Sequence, residues 1–131
     1  MTFTLDAETI KVIALAESLT RAHVKDCAMM GDILVFIVEG PFLGKMIRQL
    51  EQMVKKRVKF VSYSPEVMQF LRNLIYPLEI EKKEEKEGVL YITGKDTETR
   101  AKLIGKNASH LRALEGIIKR HFPIQEIRVV Q

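Results

Sequence analysis

The sequence predicts an α+β protein made of two similar units in tandem. Three observations lead to this prediction: helical and β-type segments follow the order α-β-β-α-α-β in each half, the halves align at an offset of about sixty residues, and one short glycine motif occurs in both. We therefore expect two small domains, over residues 1–63 and 64–131, each with a three-stranded sheet that helices cover on one face.

In the first unit, a helical apolar period indicates helices and β-branched runs indicate strands. The expected elements are a helix over 7–21, strands over 23–29 and 33–38, a helix around 47–54 and a strand over 58–61. Asp6 is expected to cap the first helix, and Gly31-Asp32 to close a hairpin between the two strands. Pro41 leaves little room for the first of the two paired helices.

The second unit repeats this order. The expected elements are a helix over 65–75, strands over 77–85 and 89–93, helices over 97–104 and 107–120, and a strand over 124–130. Ser64 is expected to cap the first of these helices, with Pro65 as its first residue, and Asp96 is expected to cap the next helix. Gly105 separates the paired helices. The charged stretch 81–86 is expected to be an exposed edge or a hairpin tip.

Composition narrows the class of protein. The chain of 131 residues is 47% hydrophobic, which is typical of a globular protein. The lone Cys27 excludes an intramolecular disulfide and a cysteine-based zinc site, so a cytoplasmic protein is the simplest expectation. Neither a signal-peptide pattern nor a stretch long enough to span a membrane is present in the sequence, and we expect no membrane partner.

Positive charge is concentrated in two segments. The net charge of the chain is +4, but residues 41–59 and 100–121 each carry six Lys or Arg against one Glu, giving +5 in each case. The remainder holds nine basic and fifteen acidic residues, giving −6. Paired basic segments on a small protein favour a polyanionic partner.

The two basic segments also hold the glycine motif. It covers Leu43–Leu50 in the first unit and Ile104–Leu111 in the second, and it reads apolar, Gly, Lys, two variable residues, two polar residues, Leu. A glycine at the mouth of a helix lets a phosphate approach free backbone N–H groups, and the lysine beside it adds a full charge. Two such motifs favour binding of a nucleic-acid backbone over catalysis.

An α-β-β-α-α-β unit with a glycine loop between its paired helices resembles the type II KH domain. The KH loop pattern is apolar-Gly-x-x-Gly-x-x-apolar, and Ala108 and Ile47 stand at the second glycine position in the two units. With Glu39-Gly40-Pro41, Phe70–Leu74 and Lys119–Phe122, the tandem resembles the archaeal NusA-like transcription factors over about residues 5–131.

This resemblance implies a single-stranded RNA partner, namely a nascent transcript, and makes RNA polymerase a candidate partner. Bacterial NusA carries additional polymerase-binding and S1 domains, for which this chain has no room. The resemblance therefore implies the RNA-binding pair alone, acting in transcription elongation or termination.

The KH resemblance implies that each loop clamps the backbone of about four nucleotides. We expect the better site in the second unit, because Asn107 tolerates unusual dihedrals and Ala108 is small. The predicted RNA-binding residues are Gly105, Lys106, Asn107, Ala108, Arg112, Lys102, Gly44, Lys45, Met46, Ile47 and Arg48. Ile104 and Leu111 are expected on the apolar floor of the groove. A Gly105→Asp substitution is expected to abolish RNA binding and leave the fold intact.

The first loop has two interpretations. The bulky Ile47 either turns into the core, so that the first unit is a degenerate scaffold, or leaves Lys45 and Arg48 to extend the RNA track weakly. Two other functions stay open for the whole chain: an RNA-binding factor in ribosome assembly or translation, and a protein-interaction scaffold with degenerate KH units.

An enzyme is disfavoured, and no cofactor, metal or small-molecule substrate is expected. Ser109 and His110 are neighbours on a helix and point in different directions. The stretch Gly40–Met46 is one residue short of a nucleotide-binding P-loop and has a methionine where a hydroxyl should bind Mg²⁺. The mechanism we expect is electrostatic capture followed by clamping.

Overall fold

The computed structural model describes residues 7–130. Backbone contacts divide the chain into two units, one ending at Tyr63 and the other beginning at Ser64. Each unit contains one three-stranded sheet with helices, so the architecture is α+β as predicted. The predicted cap Asp6 lies outside the described residues.

The first unit contains two α-helices, a short 3-10 turn and three strands. In chain order these are α1 (Ala7–Thr20), β1 (His23–Met30), β2 (Ile33–Glu39), the 3-10 turn (Gly44–Met46), α2 (Ile47–Val54) and β3 (Arg57–Ser62). The turn at Gly31-Asp32 joins β1 and β2 as an antiparallel hairpin, which confirms the prediction. Strand β3 pairs parallel to β2, so the sheet order is β1-β2-β3.

The core of the first unit lies between its helices and one face of its sheet. Ala16 of α1 and Leu50 of α2 are fully buried there against Phe36 and Cys27. The apolar residues at helical spacing on α1 belong to this cluster or pack against it, and they are Val12, Leu15, Ala16 and Leu19. Cys27 is therefore a small core residue, as its position in a strand predicts.

The first unit lacks the first of the two predicted paired helices. Residues 40–43 alone connect β2 to the 3-10 turn, which is too short a span for an α-helix. Pro41 in this connection has no backbone N–H to donate. The order in this unit is therefore α-β-β-α-β with a 3-10 turn before its second helix, a correction to the repeated α-β-β-α-α-β pattern.

The second unit contains all six predicted elements. In chain order they are α3 (Val67–Ile75), β4 (Ile80–Lys86), β5 (Val89–Gly94), α4 (Thr97–Ile104), α5 (Ser109–His121) and β6 (Glu126–Val129), and a 3-10 turn (Lys106–Ala108) separates α4 from α5. Strands β4 and β5 form an antiparallel hairpin, and β6 pairs parallel to β5. Strand β4 is an edge strand, and residues 81–86 are all exposed, as predicted.

Two predicted helix starts in this unit are wrong by two residues. Helix α3 begins at Val67 rather than Pro65, because Ser64 Oγ accepts the N–H of Glu66 at 3.1 Å and forms a turn instead of a cap. Helix α5 begins at Ser109 rather than Asn107, because the two residues before it have positive φ angles.

The cap predicted for α4 is confirmed. Asp96 Oδ1 accepts the N–H of Thr99 at 2.7 Å. Hydrogen bonds from Thr99 hold the pKa of the Asp96 carboxyl below its usual range. Helix α4 then lies directly on the end of β5, where a Cβ on Gly94 would come within 2.9 Å of Arg100 N.

Both units use one glutamate to join a helix to the parallel strand that follows it. Glu51 Oε2 accepts the N–H of Val58 at 2.9 Å, and Glu115 Oε2 accepts the N–H of Ile127 at 2.9 Å. These glutamates are the lone acids of the two basic segments. Their charge is therefore engaged by the fold and partly withdrawn from the surface.

Candidate nucleic-acid interface

The glycine loop of the second unit has a backbone that only glycine can adopt at its first position. Gly105 has φ 73° and ψ 177°, and its N–H ends α4 by donating to Ala101 O at 2.9 Å. A Cβ at this residue would come within 2.7 Å of His110 Cβ and 3.0 Å of His110 N. A side chain at 105 therefore strains the loop itself, and the expectation that Gly105→Asp leaves the fold intact is wrong.

The next part of the loop contains two successive left-handed residues. Asn107 has φ 55° and Ala108 has φ 59°. Asparagine adopts this conformation readily, so the unusual dihedral angles expected at Asn107 are confirmed. Alanine adopts it at a cost of roughly 1 kcal/mol. The N–H of Ala108 donates to Gly105 O at 3.2 Å, and the N–H of Ser109 donates to Lys106 O. Strained backbone of this kind marks candidate functional loops.

His110 fastens the loop to the end of α4. Its Nδ1 lies 2.9 Å from Leu103 O, and because a carbonyl only accepts, Nδ1 carries the proton. His110 is also the residue that a Cβ added at Gly105 would clash with. Sequence reasoning missed this positioning role, since nothing in the order of residues indicates a contact seven positions apart.

Cations and apolar groups lie next to each other along this loop. Lys106 and Asn107 are exposed, and Arg112 is exposed one turn along α5. Within residues 7–130, Lys106 and Arg112 form no ion pair, whereas Lys102 Nζ lies 3.1 Å from Glu98 Oε1. The predicted floor residues are both half-buried and keep some apolar surface beside the loop; they are Ile104 and Leu111.

The glycine loop of the first unit follows a different course. Gly44 does not have a positive φ, and a Cβ placed on it would meet only the Phe42 ring, at 3.8 Å. Met46 and Ile47 are right-handed, with φ −90° and −61°. Lys45 and Arg48 are exposed, while Ile47 is half-buried rather than fully inside the core. This loop is therefore the start of a helix and has no left-handed pair.

The described residues, 7–130, form neither a metal site nor a serine–histidine pair nor a membrane-spanning helix. Among residues 7–130, no group of three or more His, Cys, Asp and Glu side chains could hold a metal ion. Ser109 is exposed, and the ring nitrogen of His110 is engaged by Leu103 O rather than by the serine. None of the described helices is long and apolar enough to cross a membrane.

Comparison with known proteins gives relatives over nearly the whole chain, although no protein-family model matches it. Three curated proteins named "Probable transcription termination protein NusA" are similar to it. The protein from Thermoplasma acidophilum is 24% identical, covering 98% of this chain and 96% of the relative. Those from Methanocaldococcus jannaschii and Methanococcus vannielii are 27% and 28% identical, covering 96% and 99% of this chain and 74% and 81% of the relatives.

A solved structure is similar in fold. The crystal structure of APE1850 superposes with a TM-score of 0.70 at 19% identity, covering 96% of this chain and 100% of that one. At this identity the likeness shows the fold alone. It agrees with two three-stranded sheets and their helices in one chain, and the predicted family resemblance is confirmed by the three sequence relatives.

Proposed function

We propose that this chain, an archaeal NusA-like protein, binds single-stranded RNA as a pair of type II KH domains and acts in transcription termination or elongation. The domains would comprise residues 1–63 and 64–131. The names of the three relatives support a role in transcription termination. The observation that carries the RNA-binding proposal is the strained loop at 105–108, whose middle residues are exposed and which lies between two helices, beside cations that form no ion pair among the described residues.

Capture of the RNA begins with charge. Lys106 and Arg112 are exposed cations without an acidic partner among the described residues, so they are available to phosphates. Lys102 is a weaker contributor because Glu98 already pairs with it. Such contacts make affinity fall with salt at a slope of about −0.7 per phosphate on a single strand.

The clamp follows from the backbone. The N–H groups of Gly105, Ala108 and Ser109 donate to carbonyls of α4 or the loop, which leaves the exposed residues Lys106 and Asn107 to offer theirs to a phosphate. Left-handed residues beside right-handed ones form the concave backbone that accepts anions. Bases of the clamped strand would then pack on the apolar floor formed by Ile104 and Leu111.

The first unit has a lesser part in this proposal. Its loop is helical, so it lacks the concave backbone of the second loop. Lys45 and Arg48 would attract RNA weakly as point charges, and the rest of the unit would act as a scaffold. A protein-interaction role of this unit is the alternative that its helical loop favours.

The test is a double variant that leaves Gly105 in place. Lys106→Asp with Asn107→Asp adds negative charge at exposed positions, and aspartate tolerates the left-handed conformation. We expect binding of a short unstructured RNA, measured by fluorescence anisotropy, to weaken about tenfold or more, with the thermal midpoint unchanged.

The matched control is Lys45→Asp with Met46→Asp at the equivalent positions of the first loop, which should weaken binding less. Equal RNA affinity of the second-loop variant and the unchanged protein would refute the proposal. Affinity purification from cells separates the processes, because recovery of RNA polymerase supports transcription and recovery of pre-ribosomal particles supports the ribosomal alternative.

A further inference from the structure

One arginine in the second unit is partly buried and lacks a partner. Arg100 lies on α4 and is half-buried, and its Nε is fully buried without a hydrogen-bond partner. Within residues 7–130 its guanidinium forms neither a hydrogen bond nor an ion pair. Nε is the only buried side-chain nitrogen or oxygen of the described residues left in this state.

Such a group requires an explanation, because a buried donor without an acceptor destabilises the folded protein. A residue that served packing alone could be methionine or leucine without this cost. Nε itself is too buried for a ligand to reach, but the two Nη groups of the same guanidinium are not buried in this way. An acceptor that arrives with a ligand and bonds these Nη groups would explain why an arginine is placed here.

The position of Arg100 is fixed by the backbone around it. Its N and Cα would lie 2.9 Å and 3.2 Å from a Cβ on Gly94, so only a glycine allows α4 to pack this closely on β5. Four residues later on the same helix face is Ile104, the last residue before the loop. Helical side chains lean toward the helix N-terminus, so Arg100 would meet a bound strand beside the loop rather than inside it.

We infer that Arg100 is a further RNA-contact residue of the second unit and that its guanidinium donates to the edge of a base, with guanine the best fit. Guanine O6 and N7 accept the two parallel N–H groups of an arginine fork, and unpaired RNA bases present such edges to proteins. The inference rests on the proposed function, since it needs a strand clamped at residues 105–108.

A base is a better ligand here than a phosphate. Arg100 is half-buried and lies one turn before Ile104 on α4, and Ile104 is one of the two residues proposed for the floor on which bases would pack. The phosphates have exposed cations available to them at Lys106 and Arg112. Phosphate contacts fix the position of a strand, whereas base contacts select its sequence, so Arg100 would supply selectivity.

The experiment compares Arg100→Met and Arg100→Lys with the unchanged full chain. Each is titrated with a short guanine-containing RNA and with the same RNA carrying adenine in place of guanine, over a salt series. Arg100→Met should bind the guanine RNA about tenfold more weakly, lose the preference over adenine, and keep the salt slope. Arg100→Lys keeps the charge but lacks the fork, so it should lose the preference as well.

The thermal midpoint provides a second readout. Arg100→Met removes the unsatisfied Nε, so it should be at least as stable as the unchanged protein while it binds guanine RNA more weakly. Unchanged affinity for the guanine RNA would overturn the inference. Equal loss for both RNAs with a shallower salt slope would also overturn it, since that result indicates a phosphate contact.

Arg128→Met is the matched control. Arg128 lies on β6, and its Nε already donates to Glu126 Oε1 at 3.0 Å, so this variant should bind RNA as the unchanged protein does. A similar loss in both variants would overturn the inference by showing a general charge effect. If the unchanged chain binds no RNA, the proposed function itself fails; if only the loop variant loses binding, this inference alone fails.

Discussion

The two copies of the glycine motif share their pattern of residue types but differ in backbone conformation. In the second unit, Gly105 has a positive φ and is followed by left-handed Asn107 and Ala108. In the first unit, Met46 and Ile47 occupy the equivalent positions and are right-handed. The two variable residues of the motif therefore determine the backbone conformation of the loop. A β-branched side chain such as that of Ile47 strongly disfavours the left-handed region, whereas asparagine adopts it readily.

The surroundings of the two loops enforce the same difference. Gly105 terminates α4, and His110 then ties the loop to Leu103 O. Strand β2 and a short connection, rather than an α-helix, come directly before Gly44, and the residue equivalent to His110 is the exposed Gln49. A glycine beside a lysine is thus insufficient evidence for a clamp when the preceding helix is missing.

The largest expected difference between the loops is in their response to alanine. Gly105→Ala places a Cβ against His110 at positive φ, and we expect it to lower the free energy of unfolding by about 2 to 3 kcal/mol. At Gly44 the added Cβ makes only an ordinary contact with the Phe42 ring, at 3.8 Å, and the backbone has no positive φ, so we expect Gly44→Ala to raise that free energy by about 0.5 kcal/mol. Urea denaturation measures both, and changes of the same sign would contradict the assigned loop conformations.

In contrast to the loops, the two glutamates of the basic segments, Glu51 and Glu115, should have the same effect on stability in both units when they are replaced. Glu51→Ala and Glu115→Ala each leave a strand N–H without its acceptor, and we expect each to cost about 1 to 2 kcal/mol of unfolding free energy. RNA affinity should not fall, because each change makes its segment more basic. Weaker RNA binding at full stability would show that these carboxylates act at the surface rather than in the fold.

The smallest effect is expected at the second glycine position of the KH pattern. Ala108→Gly relieves the left-handed strain of alanine, and we expect it to stabilise the second unit by up to about 1 kcal/mol with RNA binding retained. Ile47→Gly in the first unit should destabilise by about 1 kcal/mol, since it places glycine at the first residue of a right-handed helix and removes a half-buried side chain. Thermal unfolding of both variants distinguishes the loops by sign.

Much of the fold could be predicted because its signals are local. The hairpin turn at Gly31-Asp32 and the cap at Asp96 each depend on a few adjacent residues, and both are confirmed. The start of α3 was predicted wrongly because Ser64 can satisfy either a helix cap or a turn, and the sequence does not decide between them. The absence of the first paired helix agrees with the little room that Pro41 leaves, because only residues 40–43 separate β2 from the 3-10 turn.

The candidate site was predictable in residue type but not in contacts. The tolerance of Asn107 for unusual dihedrals was sufficient to predict an irregular loop. The bond from His110 to Leu103 O and the unsatisfied Nε of Arg100 depend on how α4, α5 and β5 pack. The clash between a Cβ at Gly105 and His110 also depends on this packing. Gly105→Asp was therefore wrongly expected to leave the fold intact.

The exposed edge strand β4 has a consequence for the behaviour of the protein at high concentration. An edge strand offers a row of backbone groups to which another chain can add a strand. Residues 81–86 are six consecutive charged side chains, all exposed, so a neighbouring copy that added a strand here would have to strip these charges of water. The stretch that carries no proposed ligand thus protects the molecule against edge-to-edge aggregation.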